Sequence, residues 1–354
     1  MLSDTRSLIL KEDGSVWSTG VSLRGFINDF VQVVSSNAIA AAAGATGCMV
    51  LKEDGGVWAS KSEHRAEASP KRQRNDAKVV NEGTFSFVQI IPGAKTAAVG
   101  SYHNMILTKV GRVWATGWNK YGQLGDGTLL DKTTYIRVVE SGATAVAAGD
   151  MHSIVLKEDG TVWTAGGNNK GQLGDKSTAD NNRFTKTLAK GAINVAAGGY
   201  HTMVLTLDGG VWATGWNEYG QLGDGSVRDR CSFAQVVTDT KIIAAGRQHS
   251  MILKQDGSVW ATGYNAYGQL GDGSTMNSQV FMQVVLGGAK VIAAGAYHSM
   301  MLDQEGVLWA TGSNKDGQFG DGSTSSATVF VKIAPFGDGL GHTCGSTCML
   351  VALT

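Results

Sequence analysis

The sequence predicts an all-β protein, a seven-bladed β-propeller that occupies residues 1–354 as a single domain. Three observations carry this prediction. A segment of about 49 residues recurs, each copy holds apolar runs of strand length, and turns rich in glycine and aspartate separate those runs. Supersecondary units that repeat at such a period stack and bury their apolar faces against their neighbours. Four short strands per copy, repeated seven times, are typical of a radial propeller.

Seven tryptophans, each preceded by valine or leucine, anchor the repeats. Their spacings are 41, 56, 49, 49, 48 and 49 residues, so the last five copies are regular and the first two are not. The anchors are Trp17, Trp58, Trp114, Trp163, Trp212, Trp260 and Trp309. Repeats one and two have lost the segment Gly-Gln-Leu-Gly-Asp-Gly, which the other repeats carry intact or with one substitution. We therefore expect these two blades to be the least regular and the least stable.

Each repeat carries signals for four strands. Two apolar runs flank an Asp-Gly pair, as at Asp256-Gly257. Such a pair predicts a tight hairpin in which both central residues take positive φ. The Gly-Gln-Leu-Gly-Asp-Gly segment and a third strand follow, as at 233–237. A fourth strand ends in Ala-Ala-Gly, as at 242–246, and we expect it to lie innermost because small side chains suit a crowded axis.

The C-terminal residues 348–354 resemble the strand that precedes Val-Trp, which gives eight copies of that strand for seven blades. An unpaired sheet edge exposes backbone donors and acceptors. We therefore expect the C-terminal strand to pair into the blade of Trp17, next to residues 7–20, and to leave one copy surplus. The alternative is that the chain is a piece of a longer array.

The charge balance excludes one function class. The chain has 30 basic and 30 acidic side chains, and a protein that mainly binds nucleic acid needs a basic surplus. No apolar run approaches the ~18 residues of a membrane helix, and the N-terminus lacks the pattern of a secretory signal. The sequence predicts a monomer of the cytoplasm, with the nucleus as the alternative, and no membrane association.

Recurring polar residues are predicted to be structural. A histidine follows the Ala-Ala-Gly strand in five repeats, and one histidine per blade cannot converge on a metal ion at ~2 Å. We expect each imidazole to tie its own repeat together through nearby backbone, and the aspartates to form turns. These residues are His103, His152, His201, His249, His298, Asp159, Asp208 and Asp256. A catalytic constellation should occur once, so the sequence predicts neither an enzyme nor a cofactor or metal.

The loop between the tryptophan strand and Gly-Gln-Leu-Gly-Asp-Gly varies between repeats, and three copies carry an aromatic pair. Trp and Tyr are enriched among the residues that dominate protein interfaces. The sequence therefore predicts a partner-binding rim on one side of the propeller, and the alternative is that these rings fill grooves between blades. The six residues are Trp118, Tyr121, Trp216, Tyr219, Tyr264 and Tyr267.

Repeat two carries a charged insertion in place of the lost segment. Residues 60–82 show no strand signal, and we expect them to protrude from the blade. Lys71, Arg72 and Arg74 lie beside Pro70 and form a candidate patch for nuclear localisation or for an acidic partner. The alternative is an ordinary solvated loop.

The pattern A-A-G-x-x-H-S-x-x-L-x-x-D-G-x-V-W-x-x-G-x-N-x-x-G-Q-L-G resembles the regulator-of-chromosome-condensation repeat, closely over about residues 97–330. The resemblance implies the seven-bladed propeller. It implies less about activity, because similar propellers serve as an exchange factor for the GTPase Ran, as parts of ubiquitin ligases, as a photoreceptor and as a β-lactamase inhibitor. The proline that the family usually has on the third strand is missing here.

The sequence thus predicts a non-enzymatic propeller that presents blade loops to a protein partner. The first alternative is a guanine-nucleotide exchange factor for a small GTPase similar to Ran, in which an inserted wedge or loop opens the nucleotide site. The second is a secreted inhibitor or adhesin from a chain that is incomplete at its N-terminus.

Overall fold

The structure, a computed structural model, describes residues 6–22, 25–44, 47–60, 85–188, 190–333 and 349–352. These residues form 28 β-strands in seven sheets of four antiparallel strands each, with no helix among them. The predicted fold class, a seven-bladed β-propeller, is confirmed. No helix long and apolar enough to span a membrane occurs in this described part of the chain.

Each blade runs from an inner strand at the axis to an outer strand at the circumference. Blade 1 consists of β1 (Arg6–Leu10), β2 (Val16–Ser22), β3 (Gly25–Val34) and β28 (Met349–Ala352). Blade 2 consists of β4 (Ala38–Gly44), β5 (Gly47–Lys52), β6 (Gly56–Ser60) and β7 (Phe85–Ile90). Blade 3 consists of β8 (Ala94–Val99), β9 (His103–Thr108), β10 (Val113–Gly117) and β11 (Lys132–Val139). Blade 4 consists of β12 (Ala143–Ala148), β13 (His152–Lys157), β14 (Val162–Gly166) and β15 (Asn181–Leu188), and blade 5 of β16 (Ala192–Ala197), β17 (His201–Thr206), β18 (Val211–Gly215) and β19 (Arg230–Val237). Blade 6 consists of β20 (Thr240–Ala245), β21 (His249–Lys254), β22 (Val259–Gly263) and β23 (Ser278–Val285), and blade 7 of β24 (Ala289–Ala294), β25 (His298–Asp303), β26 (Leu308–Gly312) and β27 (Ala327–Ile333).

The alanine-rich strands lie innermost, as predicted, because the inner strands of successive blades contact one another around the axis. Side chains there must be small. A Cβ on Gly44 of blade 2 would come within 2.6 Å of the Val99 carbonyl oxygen of blade 3. The apolar core lies between blades, where the second and third strands of one blade pack against the inner strand of the next.

The hairpins between the second and third strands differ from the predicted geometry in one respect. Gly160 has a φ of +73° and Gly257 a φ of +82°, but the aspartates before them are not left-handed. The turn is instead closed by the Gly160 amide, which donates to the Lys157 carbonyl oxygen at 2.9 Å, and a positive φ is needed only at the glycine. Asp159 and Asp256 accept the amide two residues on, at 3.0 and 2.9 Å. Hydrogen bonds from the following hydroxyl lower the pKa of both carboxyls.

The C-terminal strand closes the ring. β28 pairs antiparallel with β1, with Ser7 opposite Ala352 and Leu10 opposite Met349, which confirms the predicted pairing. It occupies the inner position of blade 1, between the inner strands of blades 7 and 2. The prediction of a surplus strand was wrong, because β28 replaces the Ala-Ala-Gly strand of blade 1 and does not duplicate β1.

Blade 2 keeps four strands, but the ladder between its second and third strands is short. Three Cα pairs join β5 to β6, against five between β21 and β22 of blade 6. The predicted protrusion of residues 60–82, with Lys71, Arg72 and Arg74, concerns a segment of which residues 61–82 lie outside the described part of the chain.

Candidate functional site

A buried asparagine shapes the loop after the third strand in blades 3 to 7. In blade 5 the Asn217 Oδ1 accepts the Leu222 amide at 2.9 Å, and its Nδ2 donates to Asp224 Oδ1 at 3.1 Å and to the Ser226 carbonyl oxygen at 3.0 Å. One side chain thereby holds both ends of the loop in place. The equivalent residues are Asn119, Asn168, Asn217, Asn265 and Asn314, and all are fully buried. The sequence pattern contained this asparagine, but no role was predicted for it.

The Gly-Gln-Leu-Gly-Asp-Gly segment forms an arm that crosses onto the next blade. The Gly225 amide of blade 5 donates to the Gln279 carbonyl oxygen of blade 6 at 2.9 Å. Gly223 has a φ of +72°, and a Cβ there would lie 2.5 Å from the Phe281 ring of blade 6. Both features demand glycine. Arms of this kind join blades 3 to 4, 4 to 5, 5 to 6, 6 to 7 and 7 to 1.

The recurring histidines link blades at the inner end of the arms. His201 Nε2 lies 2.9 Å from the Ser250 hydroxyl of blade 6, and that hydroxyl donates to the Gln221 carbonyl oxygen of blade 5 at 2.7 Å. Since the hydroxyl has one proton, Nε2 must donate to it, which assigns the Nε2–H tautomer. We call this arrangement the histidine clamp. It connects neighbouring blades through a side chain, whereas the sequence had predicted bonds to backbone within one repeat.

The clamp histidines are neutral. Burial lowers the pKa of His103, His201 and His298 to about 4. Burial and the neighbouring imidazoles lower the pKa of His152 and His249 to about 3. Across the described residues, no group of three or more His, Cys, Asp or Glu side chains is placed to hold a metal ion.

The varied loops and the residues before the clamp histidines meet on one side of the propeller. The Trp118 amide donates to the Tyr102 carbonyl oxygen at 2.9 Å, and the Trp216 amide donates to the Tyr200 carbonyl oxygen at 2.8 Å. These bonds place an aromatic pair from one loop beside a tyrosine from the other. The resulting aromatic rim comprises Tyr102, Trp118, Tyr121, Tyr200, Trp216, Tyr219, Tyr264, Tyr267 and Tyr297.

All six aromatic residues predicted from sequence lie in this rim. The rings contact edge to face or tilted, with centroids 4.8 to 6.4 Å apart. Tyr219 of blade 5 and Tyr264 of blade 6 make the shortest contact, which joins two blades. Sequence reasoning missed Tyr102, Tyr200 and Tyr297. The available signal was a tyrosine directly before the histidine in three repeats.

The rim rings are partly accessible. The six predicted side chains are each half-buried, and Tyr102 is 45% exposed. They pack on one another across the blade boundaries and present their remaining surface to solvent. The rim therefore combines the two arrangements that the sequence had left open, a contact between blades and an accessible aromatic surface.

Basic groups accompany the rings. The Arg247 Nε lies 3.3 Å from Asp150 Oδ2, and the Ser101 hydroxyl donates to Asp150 Oδ1. The Asp150 side chain is 4% exposed and that of Arg247 is 44% exposed, so the cation is the accessible member of this pair. Lys120 and Lys315 lie 5.9 and 5.3 Å from the ring centroids of Tyr121 and Tyr267. Glu218, between Trp216 and Tyr219, is also exposed, so the rim offers aromatic surface with charges of both signs, of which the basic groups lie beside the rings.

Comparisons with known proteins agree with this architecture. Yeast RCC1 (Prp20), in a crystal structure with Kap60 bound, has a TM-score of 0.74 and 19% identity, over 95% of this chain and 85% of that one. Human WBSCR16 has a TM-score of 0.74 and 19% identity, over 94% of both chains. Prp20p from Saccharomyces cerevisiae, described together with its binding to Gsp1p and histones, has a TM-score of 0.72 and 19% identity, over 96% of this chain and 88% of that one.

Likeness at this level of identity shows the fold alone. Among curated protein sequences, none matches this chain. The family model described as the RCC1-like domain matches residues 2–351, which is nearly the whole chain. The chain therefore belongs to the RCC1-like domain family, as the resemblance of its repeats had implied.

Proposed function

We propose that this propeller is a non-enzymatic protein that binds a protein partner through the aromatic rim. The observation that carries the proposal is the meeting of nine aromatic side chains from blades 3, 5, 6 and 7 on one side of the molecule, each with part of its surface accessible. Trp and Tyr provide large contact areas at low cost in side-chain entropy, which is why they dominate interface energetics.

The remaining polar groups support binding over catalysis. The five clamp histidines are fully buried, neutral, and engaged in the contacts between blades. The turn aspartates, such as Asp159 and Asp256, accept backbone amides of their own hairpins. Each of these groups repeats around the ring with the same partners, so each has a structural role that accounts for it.

The rim also has the composition expected of an interface that selects its partner. Arg247 is exposed at the inner edge, and Lys120 and Lys315 lie over outer rings. A partner that presents carboxylates among apolar groups would match this charge, and charge complementarity mainly sets the association rate and the choice of partner. We propose such a protein as the partner class.

Site-specific photocrosslinking tests the proposal. A benzophenone side chain at Tyr264 should crosslink one protein in cells, whereas the same group at Leu207, which is 81% exposed on a hairpin at the other end of blade 5, should not. Trp216→Ala should then weaken binding of the purified partner at least tenfold, measured well below the melting temperature of the variant. The proposal fails if both positions capture the same proteins, or if Trp216→Ala leaves the affinity unchanged.

We propose exchange activity on a small GTPase as the second candidate. The support is the likeness of the fold to Prp20p, which is described with its binding to Gsp1p. Mixing the chain with Gsp1p loaded with fluorescent GDP would test this, because an exchange factor accelerates nucleotide release at catalytic amounts. An unchanged release rate at equimolar protein would remove this candidate and leave the binding proposal intact.

A further inference from the structure

A cleft lies between blades 6 and 7, beside the hairpin that joins β25 to β26. Its volume is about 410 Å³, and its lining includes the apolar side chains of Val285, Phe330 and Trp309 together with the carboxylates of Asp303 and Glu305. The hairpin lies at the end of β25 that is remote from His298 and the aromatic rim. The cleft is therefore separate from the rim, and the inference below is independent of the proposed function.

The sister blades show what normally occupies this position. In four blades a lysine lies at the end of the second strand or directly after it, and its ammonium lies over the indole of the anchor tryptophan at 4.4 to 4.7 Å from the ring centroid. The pairs are Lys11 with Trp17, Lys52 with Trp58, Lys157 with Trp163 and Lys254 with Trp260. Blade 7 has Asp303 in place of this lysine, so no lysine of its own covers the Trp309 ring.

Asp303 takes over two hydrogen-bonding tasks of the sister hairpins. Its Oδ2 accepts the Trp309 indole N–H at 2.8 Å, the bond that the Ser258 hydroxyl accepts from Trp260 in blade 6. Blade 7 has Val307 where blade 6 has Ser258, which explains the exchange. Asp303 Oδ1 also accepts the Val307 amide at 2.8 Å.

Because Asp303 accepts these bonds, the carboxylate of Glu305 is not needed for the turn. In blade 6 the turn amide of Ser258 is accepted by Asp256, at 2.9 Å. Glu305 stands at the corresponding position of blade 7, but because Asp303 accepts the turn amides there, the Glu305 carboxylate is exposed at the cleft. Among the described residues, neither Asp303 nor Glu305 forms an ion pair.

We propose that this cleft binds a lysine or arginine side chain of a protein partner, in the place that Lys254 occupies in blade 6. The indole of Trp309 supplies an aromatic face that attracts a cation. The two carboxylates supply opposite charge, and the apolar lining accepts the aliphatic stem that both basic side chains carry. In four sister blades a lysine of the same blade makes the cation contact with the anchor tryptophan. In blade 7 a cation of the partner would make this contact with Trp309.

Fluorine NMR of the full chain labelled with 5-fluorotryptophan tests the proposal. The Trp309 resonance is assigned by its loss in Trp309→Phe. A trilysine peptide blocked at both ends should shift this resonance with millimolar affinity and leave that of Trp260 in place, and added salt should weaken the effect. The same peptide with acetylated lysines should cause no shift. A Trp309 resonance that stays still, or that responds equally to both peptides, would overturn the proposal.

Variants copied from the sister blades give the matched comparison. The double variant Asp303→Lys with Val307→Ser restores the blade 6 arrangement, folds by the same contacts, and should weaken peptide binding at least tenfold because its own lysine fills the site. Thr206→Lys adds a lysine at the equivalent position of blade 5 and should leave binding at Trp309 unchanged. Glu305→Gln should weaken binding two- to threefold. Undiminished binding by the double variant would contradict the proposal.

Discussion

The joints between blades are of two kinds. Five joints, from blade 3 through blade 7 to blade 1, contain the histidine clamp and the arm. The two joints that flank blade 2 have different residues at the clamp positions. Blade 2 has Gly47 for the histidine and Cys48 for the hydroxyl, and blade 3 has Asn104 for the hydroxyl.

Apolar packing takes the larger share at the joints of blade 2. Met49 of blade 2 and Ile106 of blade 3 are fully buried in one cluster with Tyr135, whose hydroxyl donates to Met49 Sδ at 3.5 Å. Burial raises the pKa of Tyr135 well above its usual range. The difference teaches that the ring needs tight contacts at every joint, but that polar and apolar side chains can both supply them.

The largest expected effect concerns blade 1, which has one joint of each kind. Deleting residues 349–354 removes the inner strand of blade 1, its ladder with β1 and its contacts to blades 7 and 2. We expect a loss of several kcal/mol and a fall in melting temperature of about 5 °C. Deleting residues 353–354 alone is the control. An unchanged melting temperature in the longer deletion would show that the ring does not depend on this strand.

Glycine substitutions distinguish the two kinds of joint. Gly223→Ala in an arm places a Cβ 2.5 Å from the Phe281 ring at a φ of +72°, and we expect a loss of about 3 kcal/mol. Gly93→Ala, between blades 2 and 3, has a φ of +70° and nothing within 4 Å of the new Cβ. It should cost about 1 kcal/mol, the backbone strain alone. Urea unfolding measures both, and equal losses would show that the arm contact has no special weight.

The clamped joints should make the protein sensitive to acid. The clamp histidines have pKa values of about 3 to 4 in the folded chain against an ordinary 6.5, so between these values the unfolded chain binds more protons. The free energy of unfolding should therefore be highest, as far as these histidines determine it, above pH 6.5. It should fall as the pH drops towards 4, by up to about 1.4 kcal/mol per pH unit for each histidine.

Urea unfolding at pH 7.5 and 5.5 measures this slope. His201→Gln keeps an N–H donor for Ser250 but cannot titrate, and it should reduce the stability difference between the two pH values by about 1.4 kcal/mol. A slope that this variant leaves unchanged would contradict the assignment of acid sensitivity to the clamps.

The smallest effect compares equivalent hydroxyl and thiol positions. Ser250→Ala removes the clamp hydroxyl and leaves His201 and the Gln221 carbonyl oxygen without their bonds, at a cost of about 2 kcal/mol. Cys48→Ala at the same position of blade 2 should cost less than about 1 kcal/mol, because a thiol is a weak hydrogen-bonding group. Calorimetric melting temperatures of the two variants check this order. A larger loss for Cys48→Ala than for Ser250→Ala would contradict the prediction.

Much of the architecture was predictable because it depends on local, repeated signals. The tryptophan spacing predicted seven blades, the alanine-rich strand predicted the inner position, and residues 348–354 predicted the closing partner of β1. Each of these inferences needs only the residues of one repeat and the rule that sheet edges are paired.

The contacts between blades were harder to predict because they join residues about 50 positions apart. His201 was expected to bond within its repeat, but its partner is Ser250, the residue after the next histidine. The role of Asn217 depends on loop geometry that no spacing reveals. The aromatic rim was predicted in part, since Tyr200 joins it only through its place before His201.

The direction of the arms has a consequence for synthesis of the chain. The arms of blades 3 to 6 each reach the blade that follows in sequence, more than 50 residues later, and the arm of blade 7 reaches blade 1. A ribosome adds about 5–20 residues per second. Each new blade therefore waits roughly 3 to 10 s for its arm contact, until the next blade has emerged. During synthesis the newest blade therefore always lacks its contact to the next blade, and the last arm must bind blade 1, the first of the seven blades to be made.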